Sequence, residues 1–141
     1  MTQVDFYLLG DAGDDNRNRL ACRLTDKAFR LGRRIYVYTD SDATAAELDK
    51  LLWTFNPGSF VPHELNLGQE PAEIPVIIGH QEPPADFADV LVNLAGEVPT
   101  FFSRFERVAE VVGGGDDEKQ QARERFRFYR DRGYELETHS L

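Results

Sequence analysis

The segment Lys119–Arg130, Lys-Gln-Gln-Ala-Arg-Glu-Arg-Phe-Arg-Phe-Tyr-Arg, holds the residues best suited to chemistry on an anion. Positions 119 to 132 contain Lys119, Arg123, Arg125, Arg127, Arg130 and Arg132 against only Glu124 and Asp131, in a chain of formal net charge −9. A cationic island on an acidic body repels nucleic acid from most of its surface and attracts a small anionic partner at one place. If the segment is helical, at about 100° per residue, Lys119, Arg130, Arg123 and Arg127 share a sector of roughly 80°. Phe126 flanks that sector, and Ala122 and Tyr129 lie further round. A cationic stripe beside an apolar strip fits a peptide with acidic residues and an apolar or aromatic end, because the Arg fork pairs with carboxylates bidentately. Ordinary amphipathicity, with the strip on the core and the cations solvated, accounts for the same pattern.

A second cluster, Trp53, Phe55 and Phe60, crowds the stretch Leu51–His63 around the turn signal Asn56-Pro57-Gly58. Two readings stand here: a loop folded over the core, or an exposed hot spot of the Trp and Phe type that anchors partner proteins. His63 follows Phe60-Val61-Pro62 and reads as a structural hydrogen-bonding residue. Cys22, the only cysteine, sits in a helical pattern beside Leu20 and Leu24 and reads as a packed thiol. One cysteine leaves no intrachain disulfide and no thiolate cluster, which fits a reducing cytoplasm. The three histidines show no metal-ligand spacing, so neither a metal nor a cofactor is expected.

The elements that must position these residues follow from periodicity. Gln3–Leu9 reads as a strand and 16–31 as a helix stopped by Gly32; residues 34–39 form a second strand. A helix capped by Ser41 or Asp42 runs to about Leu52. Pro75–Gly79 and Asp89–Leu94 are two more strands. Thr100 is expected to cap a short helix through Phe105. Val108–Val112 reads as a strand or as an extension of that helix, and the abrupt end at Gly113-Gly114-Gly115 favours the strand. Asp116 is expected to cap the basic helix, Gly133 to stop it, and 134–139 to add an edge strand. Strand and helix alternating at this spacing imply right-handed crossovers. The expected fold is a three-layer, nucleotide-binding-like (Rossmann-like) α/β sandwich with a mostly parallel sheet, as one domain over 1–141.

That fold invites a nucleotide, but Gly10-Asp11-Ala12-Gly13-Asp14-Asp15 lacks the G-x-G-x-x-G spacing, and its aspartates oppose a pyrophosphate. No P-loop and no G-x-S-x-G elbow is present. The balance favours a non-enzyme on a nucleotide-binding-like scaffold with no nucleotide site. A direct single-strand-binding module and a small α/β nucleotide-binding enzyme are the competing readings.

Several segments resemble, in order along nearly the whole chain, the chi subunit of bacterial DNA polymerase III. They are Phe6-Tyr7-Leu8-Leu9, Gly32-Arg33-Arg34-Ile35, Leu48-Asp49-Lys50-Leu51-Leu52-Trp53, Ser59-Phe60-Val61-Pro62-His63, and Lys119–Arg130 followed by Gly133. The resemblance implies a non-catalytic accessory subunit of the clamp-loader assembly in DNA replication. It implies two protein partners: the psi subunit, and the acidic C-terminal tail of single-stranded DNA-binding protein. Contact with nucleic acid is then mostly indirect, and no membrane is involved. Tail-binding positions map to Lys119, Arg123 and Phe126, with Arg127 and Arg130 continuing the stripe. Psi-facing positions map to Trp53 and Phe60, with Phe55 in the same cluster. The chain departs from the family pattern at Gly113–Gly115 and at Thr138–Leu141, which lacks an aromatic. Both departures bear on the wall of the tail pocket.

Overall fold

The computed structural model describes residues 2–9, 14–65 and 74–140. Much of the acidic turn expected at Gly10–Asp15 lies outside the described residues, as does Leu141. The strands are β1 (Gln3–Leu8), β2 (Ile35–Tyr38), β3 (His63–Leu65), β4 (Val76–Gly79), β5 (Val90–Asn93), β6 (Arg107–Val112) and β7 (Glu135–Ser140). The helices are α1 (Asp14–Arg30), α2 (Asp42–Thr54) and α3 (Asp116–Asp131).

The strands form one seven-stranded sheet in the order β3-β4-β2-β5-β6-β1-β7. Every pairing is parallel, which goes beyond the mostly parallel sheet expected. Side-chain alternation splits the sheet into two buried faces. Ile35, Val37, Ile78, Val92 and Val111 pack with α1 and α2 through Leu20, Leu48 and Leu52. Val4, Phe6, Tyr36, Leu91 and Val108 pack on the other face with Ala122 and Tyr129 of α3. The result is a three-layer α/β sandwich.

Local chemistry sets most boundaries. Ser41 is the N-cap of α2, where its hydroxyl accepts from the Thr44 N–H at 3.2 Å. Gly32 and Gly133 follow α1 and α3 at φ +80° and +81°, the left-handed region that glycine enters without a Cβ penalty. The strand reading of Val108–Val112 holds, and the edge strand after Gly133 is β7.

Two capping expectations fail. Gly115, not Asp116, is the N-cap of α3 and supplies no side-chain bond. Asp116, Asp117 and Glu118 instead fill the first turn, where their charge meets the positive end of the helix dipole. Thr100 caps nothing; residues 102–104 form a 3-10 turn with Phe101 at its N-cap and no side-chain cap. The three-residue β3 was not foreseen, being too short to show a period.

Candidate functional site: a cationic pocket and an aromatic patch

Helix α3 lies over the C-terminal halves of β1 and β7 and leaves an open pocket of about 400 Å³. Phe6, Leu8, Val112, Ala122 and Phe126 give it an apolar lining, and Phe6 meets Phe126 edge to face at 5.4 Å between ring centroids. Lys119 and Arg123, one helical turn apart, supply its cations. Among the described residues neither is held by a carboxylate; the Arg123 guanidinium donates only to Gln120 Oε1, at 3.4 Å. Charge on offer beside an apolar lining suits an acidic ligand with an apolar end.

The pocket lies at the C-terminal ends of parallel strands. From there the chain leaves β1 towards α1 on one face and leaves β6 towards α3 on the other. Such switch points leave crevices that open α/β sheets commonly use for ligands.

Both departures from the family pattern fall on this pocket, since Gly113, Thr138 and Ser140 line it. The Gly113 N–H donates to Glu118 Oε2 at 2.7 Å, and the carboxylate comes so close that a Cβ on Gly113 would collide with it. Gly113 is therefore a site of close approach.

The structure brings Lys119, Arg123 and Phe126 together. Arg127 and Arg130 are exposed on α3 but do not line the pocket, and Arg130 pairs with Asp131 at 3.2 Å.

Sequence reasoning missed what holds α3 in place. Glu110 of β6 is fully buried between sheet and helix. Its Oε1 accepts from Arg125 Nε at 3.0 Å, and its Oε2 accepts from the Tyr129 hydroxyl at 2.6 Å. Asn93 Nδ2 donates to both oxygens, at 2.9 and 3.0 Å, while Arg125 Nη1 donates to the Gly96 carbonyl at 3.1 Å. Burial pushes the Glu110 carboxyl upward from its ordinary range, against the downward pull of Arg125 and of the Tyr129 and Asn93 hydrogen bonds. Burial, then the charge of Glu110, pushes the Tyr129 phenol upward. The signal was a single acid at an inward position of an apolar strand, Val-Ala-Glu-Val-Val. An Arg beside the apolar strip of α3 was its counterpart.

The second cluster lies at the opposite edge of the sheet, where α2 ends beside β3. Trp53 is 48% exposed and Phe60 70%. Their ring centroids are 5.6 Å apart, and Trp53 also rests on His63 at 4.2 Å. His63 is buried, with Nδ1 2.7 Å from the Val61 carbonyl and Nε2 2.8 Å from that of Asp49, as its structural reading requires. Asn56 Oδ1 accepts from the Gly58 N–H at 3.1 Å. Ser59 donates to Asp26 Oδ2 at 3.2 Å and accepts from Arg30 Nη2 at 3.0 Å, stitching the loop to α1. Phe55 is half-buried and packs on the α1–α2 core, as the folded-over reading expects, while Trp53 and Phe60 stay exposed.

Asp5, Glu137 and His139 place ligand atoms within 4.8 Å of one another, the geometry of a possible metal group. Asp5 Oδ2 is already bound to Arg107 at 3.0 Å, and Lys27, Arg33 and Arg107 all border the adjoining pocket. Three cations there oppose a fourth. Cys22 is buried, and burial pushes its thiol up to about 12, which leaves it unreactive.

Fold and site together define an α/β sandwich protein with a cationic pocket at one sheet edge and an exposed aromatic pair at the other. The family model described as "DNA polymerase III chi subunit, HolC" matches residues 1–137. The chain belongs to that family. It is 45% identical over 141 residues to the DNA polymerase III subunit chi of Pseudomonas aeruginosa, covering all of this chain and 98% of the relative. It is 33% identical to that of Escherichia coli, covering 98% of this chain and 97% of the relative. The subunit from Haemophilus influenzae is 32% identical, with 98% and 96% covered.

Proposed function

We propose that the protein is a non-catalytic accessory subunit of the DNA polymerase III clamp-loader assembly, working in the cytoplasm. It docks the acidic C-terminal tail of single-stranded DNA-binding protein in the α3 pocket and the psi subunit on the Trp53–Phe60 patch. The observation that carries the tail reading is the pairing of Lys119 and Arg123, without carboxylate partners among the described residues, with the apolar lining around Phe6 and Phe126. Acidic side chains of the tail meet the cations while its aromatic end enters the pocket. Arg127 and Arg130 extend the stripe along α3 for residues that precede that end. On the other edge Trp53 and Phe60 supply the docking surface, and Phe55 backs it from the core side. Single-stranded DNA is then reached through its binding protein, and no cofactor takes part.

The test is a titration with an acidic, Phe-ended peptide and, separately, with psi. Binding of each partner without competition from the other supports the bridge. Tight binding of a free oligonucleotide with none of the peptide would replace it with direct single-strand recognition.

A further inference from the structure

We propose that Glu110 is a positioning residue for the pocket: its carboxylate sets the rotation and height of α3, and so determines which α3 side chains face the ligand. The inference rests on the tail-pocket reading and adds the device that orients it.

Apolar burial sets only the broad face of α3 that meets the sheet. Only Ala122, Arg125 and Tyr129 are buried on this helix, and Ala122 offers little area. The other aromatics, Phe126 and Phe128, are both half-buried, and at about 100° per residue they lie roughly 160° apart around the axis. They flank the face that carries Ala122 and Tyr129, so apolar packing turns that broad face to the sheet but leaves height and fine rotation to polar contacts. The helix N-terminus has no side-chain cap and is held by Glu118, which accepts from the Gly113 N–H at 2.7 Å, a single point that fixes position more than rotation.

Glu110 fixes what packing leaves open. Arg125 and Tyr129 are four residues apart, hence on one face and one turn apart. Each is bound to a different oxygen of the same carboxylate. A two-point clamp of this kind fixes rotation and axial position together. Asn93 holds the carboxylate from the sheet side. Both ionic groups are nearly dry, with side-chain exposure of 7% for Arg125 and 0% for Glu110. Desolvation consumes most of what such a pair gains, so an apolar replacement can be equally stable; fixing a register is the best-attested use of a buried pair. Arg125 points inward, some 160° from Arg123 on the helical wheel. Seating Arg125 on Glu110 therefore turns Arg123 and Lys119 outward to the pocket.

The decisive variant removes the clamp but keeps an apolar interior: Glu110→Leu, Arg125→Met and Tyr129→Phe together. Its melting temperature is expected to stay within a few degrees of the parent. Its affinity for an acidic, Phe-ended peptide is expected to fall tenfold or more, and amide exchange to quicken in α3 but not in α1. A folded triple variant that binds within twofold of the parent overturns the proposal, as does α3 exchange that is unchanged or that rises equally everywhere. If the triple variant does not fold, Glu110→Gln, which keeps the shape and loses the charge, is read on the same two measurements against the same outcomes. Arg123→Ala is measured alongside. Unchanged peptide affinity there sinks the tail-pocket reading itself, and exchange across α3 alone then decides the role of Glu110.

Discussion

The two edges of the sheet solve the problem of presenting a sticky surface in opposite ways. At the β7 edge the pocket takes its shape from a helix held by a buried charged network, and its cations remain available. At the β3 edge the exposed rings are supported from below by His63 and by a loop tied through Ser59 to Asp26 and Arg30. The first surface attracts by charge and finishes with an apolar contact; the second is apolar from the start. Under the proposed bridge this difference keeps the two partners apart, because neither surface suits the other's ligand.

The largest break in that comparison comes from below the pocket. Glu110→Ala leaves Arg125 buried without its carboxylate and is expected to cost about 3–5 kcal/mol of stability in urea denaturation. Equal stability to the parent would mean that the network carries no strain-bearing charge. Next come Trp53→Ala and Phe60→Ala, each expected to weaken psi binding by about 2–4 kcal/mol. Both rings are largely exposed, so melting should change little; a collapsed melt in both would make the cluster core and move the psi site elsewhere.

Smaller effects sharpen the contrast. Arg123→Ala should weaken an acidic, Phe-ended peptide by about 1.5 kcal/mol, the low end for a charged hydrogen bond at an exposed position. Lys119→Ala should cost less than about 1 kcal/mol. Neither should touch psi binding in calorimetry, since distant sites behave additively. Raising salt shortens the Debye length from about 8 Å to about 3 Å at 1 M. Peptide affinity should then fall without vanishing, while psi affinity holds; equal salt slopes for both partners would erase the distinction between the edges.

One further effect, absent at neutral pH, concerns neither surface. Because the Cys22 thiol is raised from 9.0 to about 12, the folded chain keeps its proton over that interval while the unfolded chain loses it. The thiol's contribution is complete below pH 9, and stability is lost as pH rises towards 12. The check is alkaline denaturation of Cys22→Ala beside the parent; matching slopes would show that the site does not titrate in this way.

Much of this architecture could be read from periodicity. The unbroken apolar run Ile35-Tyr36-Val37 and the Leu48 and Leu52 spacing declare strand and helix before any contact is known. The cationic stripe was equally legible, because one helix carries it. The pocket lining was not: Phe6, Val112 and Thr138 come from three strands, and their meeting depends on β1 pairing with both β6 and β7. The wheel puts Arg127 in one sector with Arg123, yet only Arg123 reaches the pocket; Arg127 lies about 40° further from the Ala122 face. Glu110 and Arg125 looked unremarkable singly, since a buried pair shows itself only across tertiary distance. Asp116 was taken as a cap from residue type alone, whereas the turn geometry gave that place to Gly115.

The pairing of β1 also has a consequence for how the chain matures. Its neighbours are β6, with Gln3 beside Arg107, and β7, with Gln3 beside Glu135. The first strand made therefore waits for the last two. Contacts so distant along the chain form slowly and leave hydrophobic strand edges open during synthesis. On the ribosome, β2, β4 and β5 can assemble with α2 while Val4 and Phe6 still have no sheet to join. The pocket under α3 is thus among the last features to appear, and a nascent or C-terminally clipped chain would display the aromatic edge before that pocket exists.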